Sequence, residues 1–121
     1  MEHKSILVVD DDYNMARTVS DILEDRGYRA VMARNGREAL AAAGKERFFC
    51  VISDIKMPQM DGVALFHALQ RSQPNLPILL MTAYLPGELL DSCVENGVVA
   101  VLTKPLNIDL LFTYLKALGE G

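Results

Sequence analysis

The chain has 121 residues and a formal net charge of −4, with 50% of its residues hydrophobic and 23% charged. That length suits a single domain over residues 1–121 with a sizeable core, and the balance is that of an ordinary globular protein. The negative charge argues against direct binding of nucleic acid, and the longest apolar runs fall short of a membrane span.

Met1–Ser5 is short and polar and carries no signal-peptide pattern, so a cytoplasmic location is expected. Ser5–Val9 reads as a buried strand, and Asp10, Asp11 and Asp12 follow it directly. Like charges ~4 Å apart repel by about 4 kcal/mol at an effective dielectric near 20, so the acids need a compensating cation or must splay into water. Asp12 suits the N-cap of a helix over Tyr13–Arg26, whose Met15, Val19, Ile22 and Leu23 share a face, and Gly27 suits its left-handed stop. Arg29–Ala33 is a second, weaker strand. Asn35 with Glu38 reads as a capping box opening a helix through Ala43. Phe49–Ser53 is a third strand, bounded by Asp54, and the loop "KMPQMDG" follows. Asp61 suits an N-cap and Gly62 eases the turn into a helix through Arg71. Pro77–Met81 is a fourth strand, with Thr82 and Ala83 after it. Pro86 fits the first turn of a helix ending near Asn96–Gly97. Val98–Leu102 is a fifth strand, and Asn107 caps a last helix through Leu118, leaving Gly119–Gly121 as a frayed end or the start of a linker.

Five strand–helix units with nearly continuous apolar strands predict an α/β fold, a parallel sheet with helices on both faces. In such sheets ligands sit beyond the carboxyl ends of the strands. Those ends carry Asp10, Asp11 and Asp12, then Asp54, then Thr82, then Thr103, Lys104 and Pro105. If the first and third strands are neighbours, Asp10, Asp11 and Asp54 converge, with Thr82 and Lys104 on the far wall. Hard oxygens with no soft ligand suit a hydrated divalent cation, Mg²⁺ above all, with Mn²⁺ as the alternative. A carboxylate beside such an ion can attack phosphorus, while Lys104 and the Thr82 hydroxyl hold phosphoryl oxygens. The cysteines Cys50 and Cys93 lie in apolar segments and read as buried, reduced thiols, and with distant His3 and His67 they make no metal-ligand spacing. His67 reads as a surface residue, and Met57, Met60 and Met81 as packing.

"VVDD" (Val8–Asp11), "SD" with "MPQMDG" (Ser53–Asp54, Met57–Gly62), "MTA" (Met81–Ala83) and "TKP" (Thr103–Pro105), in order and each at a strand end, resemble the receiver domain of bacterial two-component response regulators over essentially the whole chain. The resemblance implies a flavodoxin-like, CheY-like, doubly wound five-stranded sheet of order 2-1-3-4-5. It implies that Asp54 is the phosphoacceptor, that Asp10, Asp11, Asp54 and the backbone carbonyl of Lys56 hold Mg²⁺, that Thr82 and Lys104 contact the phosphoryl group, and that the bond before Pro105 is cis. It implies as partners a histidine kinase or phosphotransfer protein and an output domain or downstream protein, and a regulatory role in which the domain catalyses only its own phosphorylation and dephosphorylation. Tyr84 and Lys56 take positions that border the site and influence phosphoryl lifetime.

The chain departs from this pattern at Val101, where many receivers carry an aromatic residue that turns inward as Thr82 moves. Valine is short and has few rotamers. The last helix carries Ile108, Leu110, Leu111, Phe112, Tyr114, Leu115 and Leu118, more than one buried stripe requires. A partner or homodimer surface built from the fourth helix, fifth strand and fifth helix is therefore expected. Two other functions compete. Asp10-x-Asp12 after a strand also occurs in haloacid-dehalogenase-like phosphatases, with Asp10 attacking and Asp12 as acid/base, but that reading leaves "MPQMDG" unexplained. An unphosphorylated pseudo-receiver would be marked by loss of an acid or the lysine, and none is lost.

Overall fold

The sequence alternates strand-length apolar runs with stretches of helical period, and the chain folds accordingly. The computed structural model describes residues 4–83 and 87–120, with 88–90 and 120 described by their backbone alone. The expectations for residues 1–3, Tyr84, Pro86 and Gly121 lie outside the described residues. In chain order the elements are β1 (Ser5–Val9), α1 (Tyr13–Asp25), β2 (Arg29–Ala33), α2 (Gly36–Lys45), β3 (Cys50–Asp54), α3 (Gly62–Ser72), β4 (Ile78–Thr82), α4 (Gly87–Glu95), β5 (Ala100–Thr103) and α5 (Ile108–Glu120). The strands form one parallel sheet of order β2-β1-β3-β4-β5. This is the CheY-like doubly wound arrangement. Strand order reverses at β1, which lies between β2 and β3, so the chain leaves β1 toward one edge and later returns toward the other.

Side chains alternate across each strand and so feed two cores. Leu7 and Val9 of β1 join Ala39 of α2, Leu65 and Leu69 of α3 and Cys93 of α4 on one face. Ile6 and Val8 join Val19 and Leu23 of α1 and Leu111 and Leu115 of α5 on the other. Every residue of β1, β3 and β4 is buried. Each fully buried Leu or Ile contributes about 1.5–3 kcal/mol of transfer free energy, so the central strands anchor the sheet. Among the described residues, no helix is long and apolar enough to cross a membrane.

The helix starts use the polar residues that precede them. Asp12, Asn35, Asp61 and Asn107 accept backbone N–H groups from Met15 (3.2 Å), Glu38 (2.8 Å), Ala64 (2.8 Å) and Leu110 (3.0 Å). Gly27 (φ 91°) and Gly97 (φ 109°) end α1 and α4 in the left-handed region that only glycine enters freely.

Several boundaries differ from expectation. The reciprocal half of the capping box is displaced: the Glu38 carboxylate accepts the Arg34 N–H at 2.9 Å in place of the Asn35 N–H, and it ion-pairs with the Arg34 guanidinium. β5 begins at Ala100, not Val98, because the Val98 N–H closes the end of α4 on the Cys93 carbonyl at 3.1 Å. β3 runs from Cys50 through Asp54, and the Ile55 N–H still reaches the Met81 carbonyl at 2.9 Å. α5 continues past Leu118 through Gly119, which is helical and not frayed. A Cβ on Gly119 would stand 2.7 Å from the Lys4 Nζ, so the bare backbone leaves room for that ammonium.

Candidate functional site

The parallel register brings strand ends level, and the polar residues that follow apolar runs therefore meet at one end of the sheet. Asp54 is opposite Met81, and Thr82 is opposite Thr103. Asp10, the residue after β1, is 1% exposed; its N–H donates to the Ala33 carbonyl at 3.1 Å, and its Oδ1 accepts the Asp12 N–H at 3.0 Å. Asp54 closes β3 at 7% exposure, and its Oδ1 accepts the Lys56 N–H at 3.4 Å. Asp11 is exposed, yet it can place a carboxylate oxygen within 4.8 Å of oxygens from both Asp10 and Asp54.

Lys104 follows β5 and reaches across the cleft. Its Nζ lies 3.5 Å from Asp10 Oδ2 and 3.3 Å from Asp54 Oδ2. Its backbone N–H donates to the Thr82 carbonyl at 2.8 Å, which ties the ends of β4 and β5 together. Thr82 is buried at the end of β4. The Lys104–Pro105 bond is cis. Thus Asp10, Asp11, Asp54, Thr82 and Lys104 share one end of the sheet. Lys56 stands at its rim with its side chain exposed.

The charges act on one another. Burial pushes the Asp10 carboxyl above its usual range; the Asp12 amide opposes this, the Asp54 charge adds to it, and Lys104 opposes it. Burial alone would pull the Lys104 ammonium down, but Asp10 and Asp54 outweigh it and hold the group above its usual range. The ammonium therefore offsets part of the carboxylate repulsion. The donor set of three carboxylates, two of them buried, with neither thiolate nor imidazole, fits a hard divalent cation.

The remaining candidates lie elsewhere or do other work. Asp12 turns its carboxylate to the first turn of α1, and the metal-competent cluster is Asp10, Asp11 and Asp54, so Asp12 is not placed as acid/base partner to Asp10. Asp61 caps α3. Val101 is half-buried and packs against the core on the α2–α3–α4 face. His67 is exposed beside the Phe66 ring, Met57 and Met81 are buried, and both cysteines are free and buried.

Two features beside Asp54 escaped the sequence reading. The buried Ser53 hydroxyl donates to the Asp54 carbonyl at 2.9 Å. A lone polar residue inside an apolar strand is the signal for such a bond, since a buried hydroxyl requires a partner. Gly62 does more than ease a turn: its N–H donates to the Ile55 carbonyl at 2.7 Å, and a Cβ there would collide with the Asp54 carbonyl oxygen and stand 2.8 Å from the Ile55 Cα.

The family model "Response regulator receiver domain" matches residues 6–116. A response regulator receiver protein of Anaeromyxobacter sp. (strain Fw109-5) is 38% identical over 102 residues, covering 84% of this chain and 43% of the relative. The transcriptional regulatory protein GlrR of Escherichia coli (strain K12) is 37% identical over 116 residues, covering 93% of this chain and 26% of the relative. The chain therefore spans less than half the length of these curated relatives. Among solved structures, chemotaxis protein CheY4 of Vibrio cholerae superposes with a TM-score of 0.89 at 34% identity, over 97% of this chain and 99% of that one. A CheY-like receiver domain protein of Methanospirillum hungatei JF-1 gives 0.90 at 32% identity, over 98% and 96%.

Proposed function

Because the chain belongs to the response regulator receiver domain family, we propose that it accepts a phosphoryl group on Asp54 from the histidine of a partner kinase or phosphotransfer protein, and that the acyl phosphate switches an output. The observation that carries this reading is the convergence of Asp10, Asp11 and Asp54 within 4.8 Å, with Lys104 spanning two of them.

In this reading Asp10, Asp11, Asp54 and the Lys56 carbonyl hold Mg²⁺ or Mn²⁺, and that ion supplies positive charge to the oxygens of the transferring phosphoryl group. A carboxylate oxygen of Asp54 attacks phosphorus. The P–N bond to the kinase imidazole breaks as the P–O bond forms, and the imidazole keeps the electron pair and takes up a proton. Lys104 lies 3.3 Å from Asp54 and passes from carboxylate to phosphoryl oxygen without a long movement. The Thr82 hydroxyl donates a hydrogen bond to another phosphoryl oxygen. The Asp54 backbone is held by the strand ladder and by Ser53, so the nucleophile starts in place.

Switching then follows from new charge and hydrogen bonds at the ends of β4 and β5. With Val101 at the position of the usual aromatic residue, the response is carried by α4, β5 and α5 without a ring swing. Exposed Val94 on α4 and Leu110 on α5 support that face as a homodimer or partner surface. The role is regulatory, in the cytoplasm, in a protein whose output lies in another domain or another chain.

Intact mass after treatment with a small acyl-phosphate donor and Mg²⁺ tests the reading. The chain gains one phosphoryl group and Asp54→Asn gains none. Retention of the gain in Asp54→Asn, with loss in Asp10→Asn, would instead mark Asp10 as the nucleophile. No gain in the unaltered chain would mark a pseudo-receiver.

A further inference from the structure

The opposite end of the sheet carries a surface that phosphoryl chemistry leaves unused. Lys4 precedes β1 as Asp10 follows it, so the two ends lie roughly 20 Å apart at the rise of an extended strand. There an open depression of about 420 Å³ is lined by Lys4, Arg26, Tyr28, Phe112, Lys116 and Gly119. Three partly exposed rings are in contact: Tyr28 stacks on Phe49 at 6.1 Å between centroids and meets Phe112 at 6.2 Å. The Lys4 ammonium sits 4.7 Å over the Phe49 ring, in the room left by Gly119, and the Arg26 guanidinium sits 4.3 Å over Phe112. Among the described residues, no carboxylate pairs with Lys4, Arg26 or Lys116. Beyond Phe49 the apolar strip continues as a groove of about 480 Å³ against Phe48, Leu76, Pro77 and Leu118.

We propose that this surface docks an acidic amphipathic segment of a partner protein, with its carboxylates on Lys4, Arg26 and Lys116 and its aliphatic side chains against the ring edges and the adjoining groove. Three cations without carboxylate partners among the described residues, on a chain of net charge −4, favour an anionic partner at this surface. Clustered aromatic residues with arginine are the composition of interface centres. Nucleic acid fits less well, because bases stack on ring faces and Lys4 and Arg26 already cover one face each of Phe49 and Phe112. The surface lies away from the carboxylate cluster, so a segment bound there leaves the cleft open.

A fluorescein-labelled helical peptide with a Glu face and a Leu face is the probe, followed by fluorescence anisotropy at low salt. Binding is expected to weaken about fivefold or more in Arg26→Gln/Lys116→Gln and to fall with added salt. On the unaltered chain, amide shifts are expected at Tyr28, Phe112 and Gly119. Equal affinity for the double variant, equal affinity for a Gln/Leu peptide, preference for a thymidine oligonucleotide, or shifts confined to other faces would each overturn the proposal.

Discussion

Asp10 shows how a single residue can weaken the fold and equip the site. Burial raises its pKa above the ordinary 3.8, so the folded chain holds the proton more tightly than the unfolded chain does. Protonated Asp10 therefore favours the fold at low pH, and that contribution is lost as pH rises through the raised value. Asp10→Asn keeps an Oδ1 to accept the Asp12 N–H and removes the charge. Without divalent ions at neutral pH, the variant is expected to be more stable than the unaltered chain by about 1 kcal/mol or more, read in urea unfolding. Added Mg²⁺ should stabilise the unaltered chain and leave Asp10→Asn unmoved. The acids and Lys104 were legible in the sequence because they follow separate apolar strands, and a parallel sheet brings such strand ends together. The contact of the Ser53 hydroxyl with the Asp54 carbonyl was not legible, since sequence spacing carries no information on hydroxyl direction.

The entry to α3 sets the tolerance of the element that follows Asp54. Gly62 packs its bare Cα against the Asp54 carbonyl, while Gln59, three residues earlier, adopts φ 69°, a left-handed conformation that costs a non-glycine residue about 1–2 kcal/mol. Gly62→Ala places a methyl group against backbone atoms that cannot move aside as a side chain can. It should lower stability by about 2 kcal/mol or more and slow phosphorylation in the acyl-phosphate assay, because relief of the clash shifts Asp54 itself. The four polar N-caps and the glycine stops were readable from residue type alone. The start of β5 was not, because apolar Val98 and Val99 look like strand while their N–H groups go to Cys93 and Ile78. The end of α5 was not, because glycine suggests a stop, and the Lys4 side chain that packs where a Cβ on Gly119 would stand is distant in sequence.

At the scale of the molecule, the strand–helix alternation made the layer architecture readable, whereas the strand order came through the resemblance and is now observed as β2-β1-β3-β4-β5. Global stability carries its own pH signature. Burial pushes the Cys50 thiol from 9.0 up to about 12, so the unfolded chain ionises first. The thiol's contribution is whole below pH 9 and is lost as pH rises toward 12. Between pH 8 and 10 the unaltered chain should lose roughly 1 kcal/mol more than Cys50→Ala, measured by urea unfolding at each pH. The central sheet is also a bulkhead. Ile78 faces one compartment and Ile6 the other, each 2% exposed or less, with closely packed backbone between them. Trimming each to valine costs about 0.5–1.5 kcal/mol, and the two losses should sum to within ~0.5 kcal/mol, as for parts that share a frame but no neighbours. Damage on one side then stays on that side, leaving each helical flank free to drift under mutation without consulting the other.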